Sequence, residues 1–223
     1  MACLLLGSNI DGYRFVRPVN KFFPDWVDLM LRGMVFVDHM NFNIAVQDYY
    51  IRKLNIRTPR LDYNTVFKSI VELKGVDYLK TIIFSPKPDD FLMEDEALRN
   101  YYKWIQGIKN ARYIDIVEGR YIARPTNPEK EMSLAERTSY YKVEKGTDIN
   151  LALHAIIKAQ NNSYDVAFVV SADTDYISLF QQLKLMGKLV VAVAVKDQSL
   201  ARIIPEVDDY IILTKEFFDG HVR

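Results

Sequence analysis

The chain has 223 residues, of which 49% are hydrophobic and 13% aromatic, enough apolar material for one large domain, and this excludes a disordered protein. Its 29 basic and 29 acidic residues leave no net charge. Any contact with nucleic acid must therefore be made by a local group of residues, because the surface as a whole has no excess of positive charge. The single cysteine, Cys3, excludes an intramolecular disulfide framework and a cysteine-rich zinc site, and it suits a reducing compartment.

The first residues are hydrophobic but do not predict a targeting segment. The apolar run that starts at Met1 is too short for a signal-peptide core, and Gly7 ends it. No apolar run approaches the roughly 20 residues that a membrane helix needs. We therefore expect a cytoplasmic protein with no membrane partner. Residues 1–33 are predicted to be an N-terminal extension packed on a domain at 34–223, which carries an insertion around 86–140.

Short apolar runs alternate with helical periodicity along the first half of the chain. A strand is predicted at 34–37 and a helix follows over roughly 42–54. The next strand covers 79–84, where two prolines are expected to end it. After a helix at 94–108, a strand at 113–117 is expected to turn at 118–120 into a hairpin with 121–123.

The same alternation continues in the second half. The predicted strands lie at 140–144, 166–170, 189–195 and 210–213, and the predicted helices lie at 147–159 and 177–186. Thr147 is a plausible N-cap of the first helix, and Gly187 ends the second. Strands that alternate with helices predict an α/β fold with a mostly parallel sheet covered on both faces.

Aspartates follow the predicted strands. Asp38 comes directly after the first strand, and Asp173 and Asp175 follow the strand at 166–170. Asp148 lies in the first turn of a helix. In a parallel sheet all four would lie at the carboxyl edge, where such sheets bind ligands. Each aspartate alone is better explained as a turn or helix cap, but the convergence of acids from three segments predicts a metal or acid–base site.

Three stretches resemble the motifs of NYN domains in the PIN-like nuclease superfamily, with the LabA-like branch the most similar. They are VFVDHMNF at 35–42, KGTDINLA at 145–152 and VVSADTDY at 169–176, and they occur in the family's order. The resemblance covers roughly 34–213 apart from the middle segment. It implies a PIN-like Rossmannoid three-layer fold with a mostly parallel central sheet flanked by helices. It also implies a Mg²⁺- or Mn²⁺-dependent nuclease that usually acts on RNA.

The resemblance implies hydrolysis of phosphodiester bonds by an endoribonuclease acting on single-stranded or structured RNA. Asp38, Asp148, Asp173 and Asp175 would be its catalytic and metal-binding residues. Four further side chains would contact substrate, although turn chemistry or solvation explains them as well: Asn41, Lys145, Ser171 and Thr174. No glycine-rich phosphate loop is present, so no nucleotide cofactor is expected. Homo-oligomerisation is left open.

Two departures from the family pattern support a second interpretation. Ala172 replaces the usual glycine of the third motif, and His154 stands where many relatives carry an acid. Helix geometry turns His154 away from Asp148, so a structural role is expected for it. His39 is likewise expected to pack. The alternative function is therefore a catalytically silent NYN-like module that binds RNA or a protein partner in a regulatory role.

A basic cluster lies beside two tyrosines in the first predicted helix and the residues after it. It consists of Arg52, Lys53, Arg57 and Arg60, next to Tyr49 and Tyr50. Such a cluster is compatible with a groove for single-stranded nucleic acid. A solvated face beside buried tyrosines is the other interpretation, and the default one for exposed basic residues.

Overall fold

A computed structural model describes residues 30–222. Over this range it contains a seven-stranded sheet in the order β4-β3-β2-β1-β5-β6-β7. The strands are β1 (Arg32–Asp38), β2 (Asp77–Pro88), β3 (Ile114–Pro125), β4 (Tyr140–Lys145), β5 (Val166–Val170), β6 (Leu189–Val195) and β7 (Asp209–Leu213). Every neighbouring pair is parallel except β3 and β4. The predicted mostly parallel α/β sheet is therefore confirmed.

Helices cover both faces of this sheet. They are α1 (His39–Gln47), which continues as a π-helical segment (Asp48–Lys53), α2 (Tyr63–Glu72), α3 (Asp90–Met93), α4 (Glu96–Ile108), α5 (Thr147–Gln160), α6 (Ile177–Leu185) and α7 (Lys215–Asp219). Short 3₁₀ turns lie at Thr174–Tyr176 and Ile204–Glu206. Most of the predicted extension, residues 1–29, lies outside the described residues.

Two hydrophobic cores, one on each face, hold the three layers together. Successive side chains of β1 alternate between them, with Val35 and Val37 in one core and Phe36 in the other. The first core receives helical residues such as Phe67 of α2, and the second receives residues such as Leu151 of α5. Strands buried on both faces must be apolar throughout, which explains the continuous hydrophobic runs in the sequence.

The sheet has its topological switch point beside β1. From β1 the chain crosses to β2 on one side, whereas β5, β6 and β7 extend the sheet on the other side. At such a point the connections leave a strand pair in opposite directions and open a crevice at the carboxyl ends of the strands. The residues that follow β1 and β5 therefore border this crevice.

The prediction that β2 ends before its prolines is wrong, because β2 runs to Pro88. The amide N–H groups of Thr81 and Asp89 donate to the carbonyl oxygens of Tyr113, just before β3, and Tyr121, in β3. The backbone N–H groups of odd-numbered residues of β2 therefore point toward β3, and those of even-numbered residues point toward β1. β1 ends level with Phe84. Pro86 and Pro88 thus direct their nitrogen atoms toward a side with no further strand, where the missing N–H breaks no ladder bond.

The predicted hairpin at 118–120 is also wrong, because β3 continues from Ile114 to Pro125. Pairing with β2 extends to Pro88↔Tyr121 and holds the segment straight. Gly119 is a point of close approach rather than a turn. A Cβ there would lie 2.3 Å from Thr147 Oγ1 at the start of α5.

Helix α2 was missed by the sequence analysis, although its pattern was present. Its buried residues follow helical spacing: Tyr63, Val66, Phe67, Ile70 and Val71. Helix α1 starts at His39, earlier than expected, because Asp38 caps it directly. Over the described part of the chain, no helix has the length and apolarity needed to cross a membrane.

Candidate functional site

Asp38 occupies the carboxyl end of β1 and is also the N-cap of α1. Its Oδ1 accepts a hydrogen bond from the Asn41 backbone N–H at 3.1 Å, which is the ordinary chemistry of a helix start. Its Oδ2 accepts from the Ser171 hydroxyl at 3.2 Å, at the end of β5. Two strand ends therefore hold one carboxylate, which is only 6% exposed.

Burial raises the pKa of Asp38 to about 6, because the ionised form is poorly solvated there. The carboxylates of Glu144 and Asp148 contribute to this rise in pKa, whereas the hydrogen bonds from the Asn41 N–H and the Ser171 hydroxyl oppose it. The crevice thus places negative charges around the Asp38 carboxylate, which is itself poorly hydrated. A cation that approached this carboxylate would stabilise its ionised form.

Tyr176 links Asp38 to Asp148. Its hydroxyl lies 2.7 Å from Asp148 Oδ1 and 3.4 Å from Asp38 Oδ2, and the side chain is buried. Burial, together with the neighbouring carboxylates Asp38 and Asp148, raises the pKa of this tyrosine far above its ordinary range. The hydroxyl therefore stays protonated, and its single hydrogen is donated mainly to Asp148, with a longer contact to Asp38.

Gly146 positions Asp148 at the start of α5. Gly146, rather than the predicted Thr147, is the N-cap, and it has a φ of +84°, a left-handed conformation that glycine adopts without strain. The chain reverses there from β4 into the helix, which places Asp148 in the first helical turn. The lysine–glycine–x–aspartate motif therefore encodes a backbone geometry as well as a carboxylate.

Replacing Gly146 with alanine is expected to reduce the free energy of unfolding by about 1–2 kcal/mol, because a Cβ is strained in this conformation. Urea unfolding measures the loss. Gly107→Ala is the matched control: it lies in α4 with no atom within 4 Å of a new Cβ, and alanine there should stabilise the helix by up to about 1 kcal/mol. A Gly146→Ala protein as stable as the wild type would contradict this account.

Asp173 and Asp175 lie in the turn after β5, and their carboxylates have different surroundings. Asp173 accepts a hydrogen bond from the Asp175 N–H at 2.9 Å and caps the 3₁₀ turn, while its own N–H donates to Ser171 Oγ at 3.2 Å. Asp175 is exposed, and with Asp148 it lines a cleft of about 300 Å³ between α5 and α6. All four aspartates therefore border the same edge of the sheet.

The four carboxylates do not converge on one point. Among residues 30–222, no three His, Cys, Asp or Glu side chains are arranged so that they could hold a metal ion together. In the same range, no lysine or arginine forms an ion pair with any of the four. Carboxylate oxygens without cationic partners suit a hard divalent ion chemically, but Tyr176 stands between two of them.

Asn41 connects three strand ends. Its Oδ1 accepts from the Ala172 N–H at 3.3 Å and from Gln198 Nε2 at 2.9 Å, and Gln198 Oε1 in turn accepts from the Val195 N–H at 2.9 Å. Because both donors bond the amide oxygen, the Asn41 amide nitrogen points away from Ala172 and Gln198.

The two other predicted substrate contacts lie at the same edge. Lys145 ends β4 and is exposed, and Thr174 lies half-buried in the turn after β5.

Sequence reasoning missed three residues of this site: Glu144, Tyr176 and Gln198. Glu144 lies near the end of β4, but β4 is antiparallel, so the rule on the carboxyl ends of parallel strands does not lead to it. Tyr176 is the aromatic position of the third motif, but nothing local indicates that its hydroxyl reaches Asp38, 138 positions earlier. Gln198 has no sequence signal at all.

The two histidines singled out from the sequence have packing roles, as expected. His39 is fully buried, with Nδ1 2.5 Å from the Tyr101 hydroxyl and Nε2 3.0 Å from the Tyr63 hydroxyl. His154 packs edge-on against Phe84 at a ring-centroid distance of 5.6 Å. Neither histidine contacts the carboxylates.

Burial lowers the pKa of His39 to about 3, so the folded protein keeps the ring neutral. Below pH 6.5 the His39 ring binds a proton in the unfolded chain but stays neutral in the folded chain. The stability that comes from keeping His39 neutral is therefore lost as the pH falls toward 3. The stability difference between wild type and His39→Gln should therefore shrink by about 1.4 kcal/mol per pH unit between pH 6.5 and 4.5. Urea unfolding across that range measures it, and a constant difference would refute it.

Residues 32–214 match the NYN domain, which is more than half of the chain. The chain belongs to the NYN domain family. This family has a PIN-like fold, its members are nuclease-like, and its nucleases generally depend on divalent metals. The assignment to the LabA-like branch stays a prediction.

A curated relative of this NYN protein is 6-hydroxy-3-succinoylpyridine 3-monooxygenase HspA of Pseudomonas putida. The two are 27% identical over 197 residues, which cover 83% of this chain but only 57% of the relative. A crystal structure of a Vibrio parahaemolyticus protein of unknown function is similar in fold, with a TM-score of 0.50, 16% identity, and coverage of 85% of this chain and 97% of that chain.

Proposed function

We propose that this NYN protein is a Mg²⁺- or Mn²⁺-dependent endoribonuclease that hydrolyses phosphodiester bonds in single-stranded or structured RNA. Asp38, Asp148, Asp173 and Asp175 would supply the oxygen ligands. The observation that carries the proposal is the Asp38–Tyr176–Asp148 arrangement. At the switch point of the sheet, the Tyr176 hydroxyl contacts both the buried Asp38 carboxylate and the Asp148 carboxylate. No lysine or arginine of residues 30–222 forms an ion pair with either carboxylate.

The residues around this arrangement can position a substrate. A bound divalent ion would polarise a phosphate and make hydroxide available near neutral pH. Ser171 and the Asn41 N–H fix the orientation of Asp38. The Asn41 amide nitrogen, which is opposite the oxygen that holds Ala172 and Gln198, would donate to a phosphate oxygen. Lys145 and Thr174 are proposed to contact phosphate from either side of the crevice.

A cleavage assay tests the proposal. Labelled single-stranded RNA, a hairpin RNA and single-stranded DNA are incubated with the protein in Mn²⁺, in Mg²⁺ and in chelator. We expect internal cleavage of RNA that requires the cation. Thermal unfolding with increasing Mn²⁺ should give a rise in Tm that is lost in Asp173→Asn and kept in Asp77→Asn, an exposed aspartate at the opposite edge of the sheet. RNA that stays intact under all conditions would refute the nuclease.

The second function is the catalytically silent module that binds RNA or a protein partner. It is favoured by one observation, that over residues 30–222 no three acidic side chains are arranged to hold an ion. A module that binds RNA predicts tight binding of RNA without cleavage, and a module of either kind predicts no rise in Tm with Mn²⁺. The name of the Pseudomonas relative describes a monooxygenase, so family membership alone does not decide the reaction, and the cleavage assay is the deciding measurement.

A further inference from the structure

A cleft lies between the C-terminal half of α1, its π-helical continuation and the loop after β6. We call it the α1–β6 cleft. It has a volume of about 310 Å³, and its polar lining is Asn41, Asp48, Arg52, Lys53, Lys196 and Gln198, with Asp197 at the loop. Asn41 belongs both to this cleft and to the crevice that holds Asp38. The cleft is therefore continuous with the proposed catalytic edge.

The charges of the α1–β6 cleft favour an anion. Arg52 pairs with Asp48 at 3.2 Å, which neutralises both. Lys53 and Lys196 are exposed, and neither forms an ion pair within the described range. The remaining acid is Asp197, so two free cations face one carboxylate. In a chain with no net charge, this is a local positive patch next to the acidic crevice.

The loop that carries Lys196 is held in position against Asn41. Asp197 has a φ of +75°, a left-handed conformation that strains a residue with a Cβ. Gln198 secures this turn, because its Oε1 accepts from the Val195 N–H and its Nε2 donates to Asn41 Oδ1. Lys196 thus has a defined place relative to the catalytic edge even though its side chain is exposed.

The cleft does not offer a stacking surface for a base. Tyr49, its aromatic lining residue, is buried in the first core. Sequence-tolerant binding through aromatic stacking needs an exposed ring, whereas lysines contact phosphate oxygens without reading sequence. The size of the cleft is at the lower end of ligand sites. These features fit a phosphate group of the backbone rather than a base.

We infer that the α1–β6 cleft binds a phosphate of the RNA strand flanking the scissile bond, through Lys53 and Lys196, with Gln198 keeping the cleft aligned with Asn41. This inference rests on the proposed function, since it names the path that the substrate takes away from the carboxylates. The strand then passes from Asp38 over Asn41 to the two lysines. The contact is independent of base sequence.

Fluorescence anisotropy with labelled RNA tests the inference in an Asp38→Asn background, where the substrate stays intact. Wild-type protein in chelator is a second uncleaved background. Lys53→Gln/Lys196→Gln should weaken binding about tenfold for two unrelated sequences. Losing the contact with one phosphate should also lower the slope of log Kd against log salt by about 0.7. The matched control is Lys109→Gln/Lys158→Gln, at helix ends that precede β3 and β5 and so lie at the opposite edge.

The outcomes separate this inference from the nuclease proposal. If RNA is cleaved and the lysine variant binds with an unchanged Kd and slope, the α1–β6 cleft is not the path and only the inference fails. If no RNA is cleaved but the lysine variant binds more weakly than the control, the nuclease fails and the cleft stands. An effect equal in the control pair, or confined to one RNA sequence, overturns the phosphate contact.

Discussion

Asp38→Asn is expected to abolish cation-dependent RNA cleavage, by at least about 1,000-fold, and at the same time to stabilise the metal-free protein. The loss of activity follows from the proposed role of the carboxylate, whose charge stabilisation is worth several kcal/mol. The gain in stability follows from burial. Folding raises the pKa of Asp38 to about 6, so ionising this group opposes folding at neutral pH.

The sign and size of this stabilisation depend on pH. When folding raises the pKa of a carboxyl group, the protein loses stability as the pH rises from the pKa of the unfolded state through the pKa of the folded state. The shift from 3.8 to about 6 corresponds to roughly 3 kcal/mol at pH 7 and above. In chelator, Asp38→Asn should therefore be about 2–3 kcal/mol more stable than wild type at pH 8, and equal to it below pH 4. Asparagine keeps the N-cap bond to Asn41.

Chemical denaturation at several pH values, alongside the cleavage assay, measures both effects. Asp77→Asn is the control and should change neither, because Asp77 starts β2 at the other edge of the sheet. An Asp38→Asn protein that is less stable than wild type at pH 8 in chelator would show that the carboxylate is a structural cap rather than a group held ready for a cation.

Tyr176→Phe should have the second-largest effect, and its size should depend on the cation. The hydroxyl donates to Asp148 at 2.7 Å and lies 3.4 Å from Asp38. Without it, Asp148 loses a charged hydrogen bond and the buried Asp38 carboxylate loses a longer contact, which should reduce the metal-free stability by about 1.5–3 kcal/mol. A divalent cation would compensate for the missing donor, so the rise in Tm caused by Mn²⁺ should be larger in Tyr176→Phe than in wild type.

Tyr164→Phe is the matched control for this experiment. Tyr164 is buried and donates to the Ala155 carbonyl at 2.9 Å, on the same face of the sheet and without a carboxylate partner. It should lose stability equally with and without Mn²⁺. If Tyr176→Phe also loses the same stability with and without Mn²⁺, the Tyr176 hydroxyl has only a structural role in the core. A cation then does not compensate for its loss.

The fold was largely predictable because its signals are local. Apolar runs such as 166–170 and 189–195 are strands because a sheet covered on both faces needs apolar residues at every position. The errors arose where pairing overrides local signals. Pro86 and Pro88 interrupt no ladder because β1 has already ended. Gly119 lies inside a strand because β3 pairs with β2 there, and α5 approaches it too closely for a Cβ.

The sequence alone predicts that aspartates lie at the carboxyl ends of parallel strands. Hydrophobic periodicity identifies the strands, and a parallel topology brings their carboxyl ends to one edge of the sheet. Only the tertiary structure decided how those aspartates are held. The Tyr176 hydroxyl reaches Asp38 across 138 positions, and Gln198 reaches Asn41 across 157. Contacts of that separation depend on how the crossovers stack the layers, and no local pattern records the stacking.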